Sequence, residues 1–204
     1  MAFATIDVTK GITGTIPVAN GGTGLASGTT GQFLKFTGTT TVASAAVDAG
    51  ISQAQLWRLT TTFTGDATPI ASNLEAADTN SPGAIGSAMT QSSGIFTFPS
   101  TGIWLIQATG EFYYSGDSRY NQLIIEVTTN NSSYSEAAKN SAGIKQSESS
   151  HTYNSCPAQL ILDVTDTAQV KVRFTISVSD NSTSTAGHSD YNRTSFSFLR
   201  IGDT

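Results

Sequence analysis

Two stretches of the chain alternate between apolar and polar residues and so predict β-strands with one buried face. In the first, residues 169–178, the apolar positions are Val170, Val172, Phe174, Ile176 and Val178. In the second, residues 103–114, Trp104, Ile106 and Phe112 alternate with polar residues such as Gln107 and Glu111. Successive side chains of a strand point to opposite faces, so each stretch buries one face and leaves the other partly wet.

The second stretch follows a shorter apolar run that starts at Gly94, and Pro99-Ser100-Thr101-Gly102 joins the two. Pro and Gly favour a turn, so residues 94–114 are predicted to form a β-hairpin. Other strands are predicted to begin at Trp57 and to cover residues 121–129, 158–164 and 193–201. Residues 132–150 are rich in Ser and show no alternation, which predicts a surface excursion. The largest apolar side chains on these strands are predicted to pack in the core or between subunits: Trp57, Trp104, Phe112, Phe174 and Phe196.

Residues 1–55 differ from the rest of the chain. Residues 1–50 contain 9 of the 19 Gly and no Trp or Tyr. Such a segment cannot build a core of its own, so we divide the chain into an N-terminal arm, residues 1–55, and a domain, residues 56–204. The arm has short apolar pieces joined by repeated G-x-T-G turns, and these need neighbouring chains to bury them.

The domain resembles the globular head of complement q, a relative of the tumour necrosis factor jelly roll. The run from Gly94 to Ile106, G-I-F-T-F-P-S-T-G-I-W-L-I, resembles that family's signature, as do L-I-L-D-V-T-D-T-A-Q-V-K-V from Leu160 and the closing T-S-F-S-F-L-R-I from Thr194. The family's closing strand has Gly where this chain has Phe198. The resemblance implies an all-β antiparallel jelly-roll sandwich that assembles as a homotrimer.

The arm resembles the N-terminal segment of bacteriophage fibre and virion-surface proteins. The residues that carry this resemblance are T-K-G-I-T-G-T-I-P-V-A-N-G-G-T-G-L from Thr9, G-Q-F-L-K-F-T-G from Gly31 and V-A-S-A-A from Val42. In those proteins the segment anchors or extends a variable head. The resemblance implies that the arm binds other virion proteins through its apolar residues: Ile6, Val8, Ile12, Ile16, Pro17 and Val18. A flexible Gly/Thr linker is the alternative.

Charge and composition limit the range of possible functions further. The net charge of −5 falls entirely on the domain, because the two Asp and two Lys of residues 1–55 cancel. An acidic domain argues against nucleic-acid binding, and no run approaches the ~20 apolar residues that a membrane span needs. The sequence also shows no secretory signal, which predicts synthesis in the host bacterial cytoplasm. Cys156 is the single cysteine, and it is predicted to be a small buried hydrophobe.

The sequence contains no motif for catalysis, for a metal or for a cofactor. His151 and His188 lie in polar surroundings without the spacing of zinc ligands. Asp163 and Asp166 are the nearest acidic pair, but their spacing suits a tight turn between strands in which Asp caps backbone donors. We therefore expect no enzyme, no metal and no cofactor.

Ligand contacts, if the domain makes them, are expected at the end away from the arm. Counting alternating strand directions places the connections after Tyr114, after Asp163 and before Arg193 at that distal end. The contact residues predicted there are Tyr114, Asp117, Asp166, Asp190 and Tyr191, whose side chains suit a host cell-surface glycan or protein. The alternative is that these loops are only solvated.

These observations predict a bacteriophage structural protein on the virion surface, with a trimeric knob on an anchoring arm. A capsid decoration or head-fibre protein fits the short chain. A tail fibre with a receptor-binding tip is the alternative, and a tailspike-like depolymerase is a remote one.

Overall fold

The computed structural model describes residues 25, 28–39, 41–45 and 50–204. The chain divides into two units, residues 1–50 and 51–204. In the first unit, β1 (Phe33–Phe36) and β2 (Val42–Ala45) pair antiparallel as a hairpin. The Thr37 backbone N–H donates to the Thr41 carbonyl at 3.0 Å and closes its turn.

Thirteen further strands build the second unit, and the described residues contain no helix. In chain order they are β3 (Ala54–Leu59), β4 (Phe63–Thr64), β5 (Leu74–Ala76), β6 (Ala84–Ile85), β7 (Thr90–Ser92), β8 (Ile95–Thr97), β9 (Gly102–Tyr114), β10 (Ser118–Thr128), β11 (Ser135–Ile144), β12 (Thr152–Val164), β13 (Lys171–Val178), β14 (Ser184–Thr185) and β15 (Ser195–Gly202). The first of them starts two residues before Leu56.

The strands form two antiparallel sheets that pack face to face. The five-stranded sheet has the order β11-β10-β13-β8-β7. The eight-stranded sheet has the order β4-β14-β9-β15-β3-β5, with β12 on the free side of β9 and β6 beside β3. The predicted strand over residues 169–178 is confirmed as β13, which begins at Lys171 and buries Val172, Phe174, Ile176 and Val178.

The core lies between the sheets and is rich in aromatic rings. Phe174 from the five-stranded sheet stacks on Phe196 from the eight-stranded sheet, with 4.1 Å between ring centroids. Trp104 and Phe112 are also buried, whereas Trp57 is half-buried at the margin of the core. Phe198, at the family's Gly position, is fully buried, and its ring lies 5.1 Å from that of Phe96.

The predicted hairpin over residues 94–114 is wrong. β8 pairs with β7 and β13, whereas β9 pairs with β12, β14 and β15, so the two runs lie in different sheets. The Pro-Gly connection crosses the sandwich instead of reversing within one sheet. Phe98 and Trp104 flank it and meet in the core, with ring centroids 5.2 Å apart. Both runs look half-buried in sequence because each faces the same core from its own side.

Residues 132–150 lie at the surface as predicted, but they are not an irregular excursion, because they contain the ten-residue strand β11. Most of its residues are small or polar and exposed, and β11 lies at the edge of its sheet. The inner face of β11 packs on the core mainly through the small residues Ala138 and Ala142, so its sequence lacks the large alternating apolar side chains that signal a strand.

The edge strands β11 and β12 lie side by side along one flank of the sandwich. Asn140 of β11 donates from Nδ2 to the Pro157 carbonyl at 2.7 Å, and Asn154 of β12 donates from Nδ2 to the Gly143 carbonyl at 2.6 Å. Each Asn also accepts, through Oδ1, the N–H of the residue that follows it. Two side-chain amides thus join the sheets where their backbones do not pair.

Candidate interaction surfaces

The outer face of the eight-stranded sheet carries a row of aliphatic side chains near the end where β3 begins. The register places Ile161 beside Leu105, Leu105 beside Leu199, and Leu199 beside Ala54. Ile161 is 64% exposed, although the residues on either side of it in β12 are half-buried. We name these four residues the basal row. They point away from the core, so the fold itself does not use them.

An apolar cleft of about 410 Å³ adjoins one end of the basal row. Its aliphatic lining comprises Ile51, Ala54, Leu56, Pro82, Ile85 and Leu199. The segment from Thr79 to Gly83 forms one wall. Ile161 projects from the edge strand at the other end of the row, so one face carries both an apolar projection and an apolar hollow.

The sequence contains a signal for this surface that the strand predictions did not use. Leu160, Ile161 and Leu162 are consecutive apolar residues, whereas a strand with one wet face should alternate. Trp104, Leu105 and Ile106 repeat the pattern. The additional apolar residues of these runs, Ile161 and Leu105, lie on the outer face of the sheet, where Ile161 is exposed.

Aromatic and charged side chains form a cluster at the end of the same face that lies opposite the start of β3, and in the structure we call this end of the domain the distal end. Tyr113 pairs with Tyr153 in the register, and their ring centroids are 5.2 Å apart. Arg193 lies 5.3 Å from the Tyr153 ring centroid and binds Glu111 through two hydrogen bonds of 2.7 and 3.0 Å. These bonds raise the pKa of the Arg193 guanidinium above its ordinary value. The cluster is a fixed, charge-paired platform that sequence reasoning missed, because its members are far apart in the chain.

Two of the predicted contact residues are used inside the domain. Tyr114 is half-buried, and its hydroxyl donates to Asp180 Oδ2 at 3.2 Å. Asp117 accepts the Gln146 backbone N–H at 2.9 Å and pairs with the Lys145 ammonium. The Lys145 hydrogen bond, followed by that of Gln146, lowers the pKa of Asp117. Asp117 therefore ties the connection after β9 to the one after β11.

Asp190 and Tyr191 lie in the connection between β14 and β15, also at the distal end. The Tyr191 ring stacks on His188 with 3.8 Å between centroids, and Tyr191 is 55% exposed. The Asp190 backbone N–H donates to His188 Nδ1 at 3.0 Å. Contacts within its own loop thus fix the Tyr191 ring, while about half of the surface of this residue remains exposed to solvent.

The placement of Asp166 with these residues is wrong. Val164 pairs with Gly102 at the start of β9, so the connection that follows β12 lies at the opposite end from Tyr114. The unpredicted strand β11 is the reason, because it adds one strand between Tyr114 and Val164 and so reverses the direction expected for β12. The predicted turn at this site is confirmed, since Asp166 Oδ1 accepts the Ala168 N–H at 2.8 Å.

The predicted anchoring residues, Ile6, Val8, Ile12, Ile16, Pro17 and Val18, lie outside the described residues. Over the part of the chain that the structure describes, no three His, Cys, Asp or Glu residues come together as a metal site. The same residues contain no helix that could span a membrane. Cys156 is buried as predicted, and burial raises the pKa of its thiol.

Comparison with solved structures identifies the fold as a tumour necrosis factor-like jelly roll. Eiger TNF from S. frugiperda superposes with a TM-score of 0.55 at 12% identity over 74% of this chain and 93% of that one. Murine APRIL at pH 5.0 gives 0.54 at 11% identity over 73% and 98%, and at pH 8.5 it gives 0.53 with the same identity and coverage. At such low identity the likeness establishes the fold alone. The sequence matches no protein-family model and no curated protein.

Proposed function

We propose that this chain is a bacteriophage structural protein, displayed on the virion surface as a homotrimeric jelly-roll knob of the capsid-decoration or head-fibre type. It works by binding, and its arm attaches the knob to other virion proteins. The proposal rests on one observation, which is that two unlike parts occur in the same chain. A phage-type segment with P-V-A-N-G-G-T-G precedes a jelly-roll domain whose outer face is apolar beyond the needs of its own core.

The outer face supplies the physical argument for self-association. Ile161 projects at one end of the basal row, and the apolar cleft lies at the other end. When the projection of one copy enters the cleft of the next, the contact is heterologous, and such contacts close into a ring if the rotation allows it. The resemblance to the complement q head implies that the ring has three members. The contact would cover the exposed apolar surface, which soluble proteins otherwise keep small.

The oligomeric state is the first test. Light scattering of the full chain at micromolar concentration should give three times the protomer mass of 21.2 kDa. A monomer at that concentration would remove the trimeric knob from the proposal.

The position on the virion is the second test. Particles labelled with an antibody raised against residues 51–204 should carry label over the whole head. Label confined to the tail would instead favour a tail fibre that binds a host glycan or protein. In that case, replacing Asp117, Asp190 and Tyr191 together by Ala should reduce host-cell adsorption while the trimer stays intact.

The third test asks whether the two units have separate roles. A chain that starts at Ile51 should be soluble and β-rich but should not attach to particles. The full-length protein, added to the same particles in parallel, is the control. Attachment of the shortened chain at the level of the control would show that the arm is not the anchor.

A further inference from the structure

The aromatic and charged cluster at the distal end lies apart from the apolar contact described above. We name Glu111, Tyr113, Tyr153 and Arg193 the distal platform. Tyr153 pairs with Tyr113 on the outer face of the eight-stranded sheet, and Arg193 reaches Glu111 from the connection before β15. Ile161 of the basal row is eight residues from Tyr153 along β12, or about 27 Å at the usual rise of a strand.

The distal platform presents an aromatic ring that is both exposed and fixed. Tyr153 is 52% exposed, although its ring is flanked by the Tyr113 ring at 5.2 Å and the Arg193 guanidinium at 5.3 Å. The His151 ring meets Tyr113 edge-on, with 5.0 Å between centroids and 75° between planes. Because these contacts restrict the Tyr153 side chain before a ligand arrives, little conformational entropy is lost on binding.

Hydrogen-bonding groups lie beside this ring. Glu111 and Arg193 hold each other through two hydrogen bonds, yet their side chains are still 24% and 22% exposed. A guanidinium has five donors, and each carboxylate oxygen accepts more than one bond, so the pair keeps donors and acceptors for a ligand. The exposed Ser155 lies opposite Glu111 in the register and adds a hydroxyl group.

This combination matches a neutral sugar better than other ligands. A pyranose has an apolar C–H face that can cover an aromatic ring and hydroxyls that both donate and accept. An apolar protein surface would instead bury the Glu111–Arg193 pair without replacing its water, which is unfavourable. An anion gains little, because Glu111 neutralises Arg193 and the chain carries a net charge of −5.

We propose that the distal platform binds a neutral carbohydrate, with the Tyr153 ring against one face of the sugar and with Glu111 and Arg193 bound to its hydroxyls. The site goes beyond the proposed virion role and does not rest on the trimer, because all of its residues come from one chain. A shallow site of this kind binds one sugar weakly, and many copies on one particle would add avidity.

Saturation-transfer NMR on the full chain tests the proposal. The probes are the methyl glycosides of glucose, galactose, mannose, N-acetylglucosamine and rhamnose at millimolar concentration. At least one of them should receive saturation from the protein, and Tyr153→Ala should reduce that signal at least tenfold. Tyr120→Ala, which removes an exposed tyrosine from β10 of the other sheet, is the control and should leave the signal unchanged.

A second pair of variants tests the hydrogen bonds. Glu111→Gln keeps the shape of the side chain but weakens its hold on Arg193 and its acceptance of sugar hydroxyls, so the signal should fall several-fold. Glu126→Gln makes the same change in a carboxylate that binds Arg173 on the other sheet, and the signal should persist. Light scattering and circular dichroism confirm that each variant keeps the mass and fold of the wild type.

The outcomes separate this site from the distal loops and from the trimer. If the wild type saturates none of the five glycosides, or if Tyr153→Ala binds as well as the wild type, the platform is not a carbohydrate site. Loss of signal in Tyr191→Ala but not in Tyr153→Ala would place the contact in the loop before β15 and would also overturn the proposal. A monomer that still binds a glycoside would overturn the trimer alone.

Discussion

The outer faces of the two sheets carry different kinds of side chain, polar on one and aliphatic on the other. On the five-stranded sheet, Glu126 accepts hydrogen bonds from Arg173 at 2.9 Å and Thr175 at 2.6 Å, and Tyr134 lies 4.2 Å from the Arg173 guanidinium. On the eight-stranded sheet, the basal row is aliphatic and Ile161 is exposed. The first face satisfies its own polar groups and can meet water. The second leaves aliphatic surface exposed, and we propose that another copy covers it.

This difference indicates which contacts stabilise each sheet. Both sheets pack on the same core, so both lose support when the core is damaged. If the chain assembles as proposed, only the eight-stranded sheet should depend on the other copies. Variants on the two faces should therefore separate stability from assembly.

The largest effect is expected from the core, where the two faces respond together. Phe174→Ala removes a ring that stacks on Phe196 between the sheets and should lower the free energy of unfolding by about 3–5 kcal/mol. The neighbouring change Ile176→Val deletes one methyl group and should cost about 0.5–1.5 kcal/mol. Denaturant unfolding measures both. A Phe174→Ala protein as stable as the wild type would contradict the described strand register.

The next largest effect is expected on assembly of the trimer and not on folding of the protomer. Ile161→Glu places a charge on the basal row and should convert the proposed trimer to a folded monomer, because a buried unpaired carboxylate is strongly unfavourable. Thr90→Glu, on the exposed edge strand of the other sheet, should leave the mass unchanged. Light scattering with circular dichroism measures both properties. If Ile161→Glu remains trimeric, the basal row is not the interface.

A smaller effect is expected on the five-stranded face. Glu126→Gln removes the charge of a largely buried carboxylate that holds Arg173 and Thr175, and it should cost about 1–3 kcal/mol of unfolding free energy without changing the mass. Glu136→Gln breaks an exposed pair with Lys139 and should cost about 0–1 kcal/mol. Dissociation by either variant would mean that this face also contacts another copy.

The smallest effect concerns pH at the distal end. The pKa of Asp117 is lowered from 3.8, so its contacts stabilise the fold above the unfolded pKa and are lost as the pH falls through the folded pKa. The melting temperature of the wild type should slightly exceed that of Asp117→Asn at pH 7. The gap should narrow below pH 3.8. A gap that is constant with pH would show that ionisation of Asp117 does not matter.

The sequence predicted which residues face the core better than which strands pair. Phe174, Phe196 and Trp104 are found in the core because alternation reports burial, and burial does not depend on the neighbouring strand. Pairing depends on long-range contacts that a local pattern does not contain, so the run from Gly94 was assigned to the wrong sheet. The exposed strand β11 shows no clear alternation of apolar and polar residues, so it was not predicted. Its omission placed Asp166 at the wrong end of the domain.

The candidate surfaces were less predictable for the same reason. Tyr191 was found as an exposed aromatic residue in a polar loop, which is a local property. The pairing of Tyr113 with Tyr153, and of Glu111 with Arg193, requires the register of three strands. Ile161 was recognisable in principle, because three consecutive apolar residues break the alternation.

The amides of Asn140 and Asn154 have a consequence for the protein at high concentration. An unpaired strand edge is a template on which a foreign strand can add, and chains crowded side by side meet such edges often. Here both edge strands of one flank turn towards each other, and each Asn holds a carbonyl of the opposite strand. Replacing the two Asn by Ala would free those carbonyls, and fibrous aggregation at high protein concentration should increase as a result.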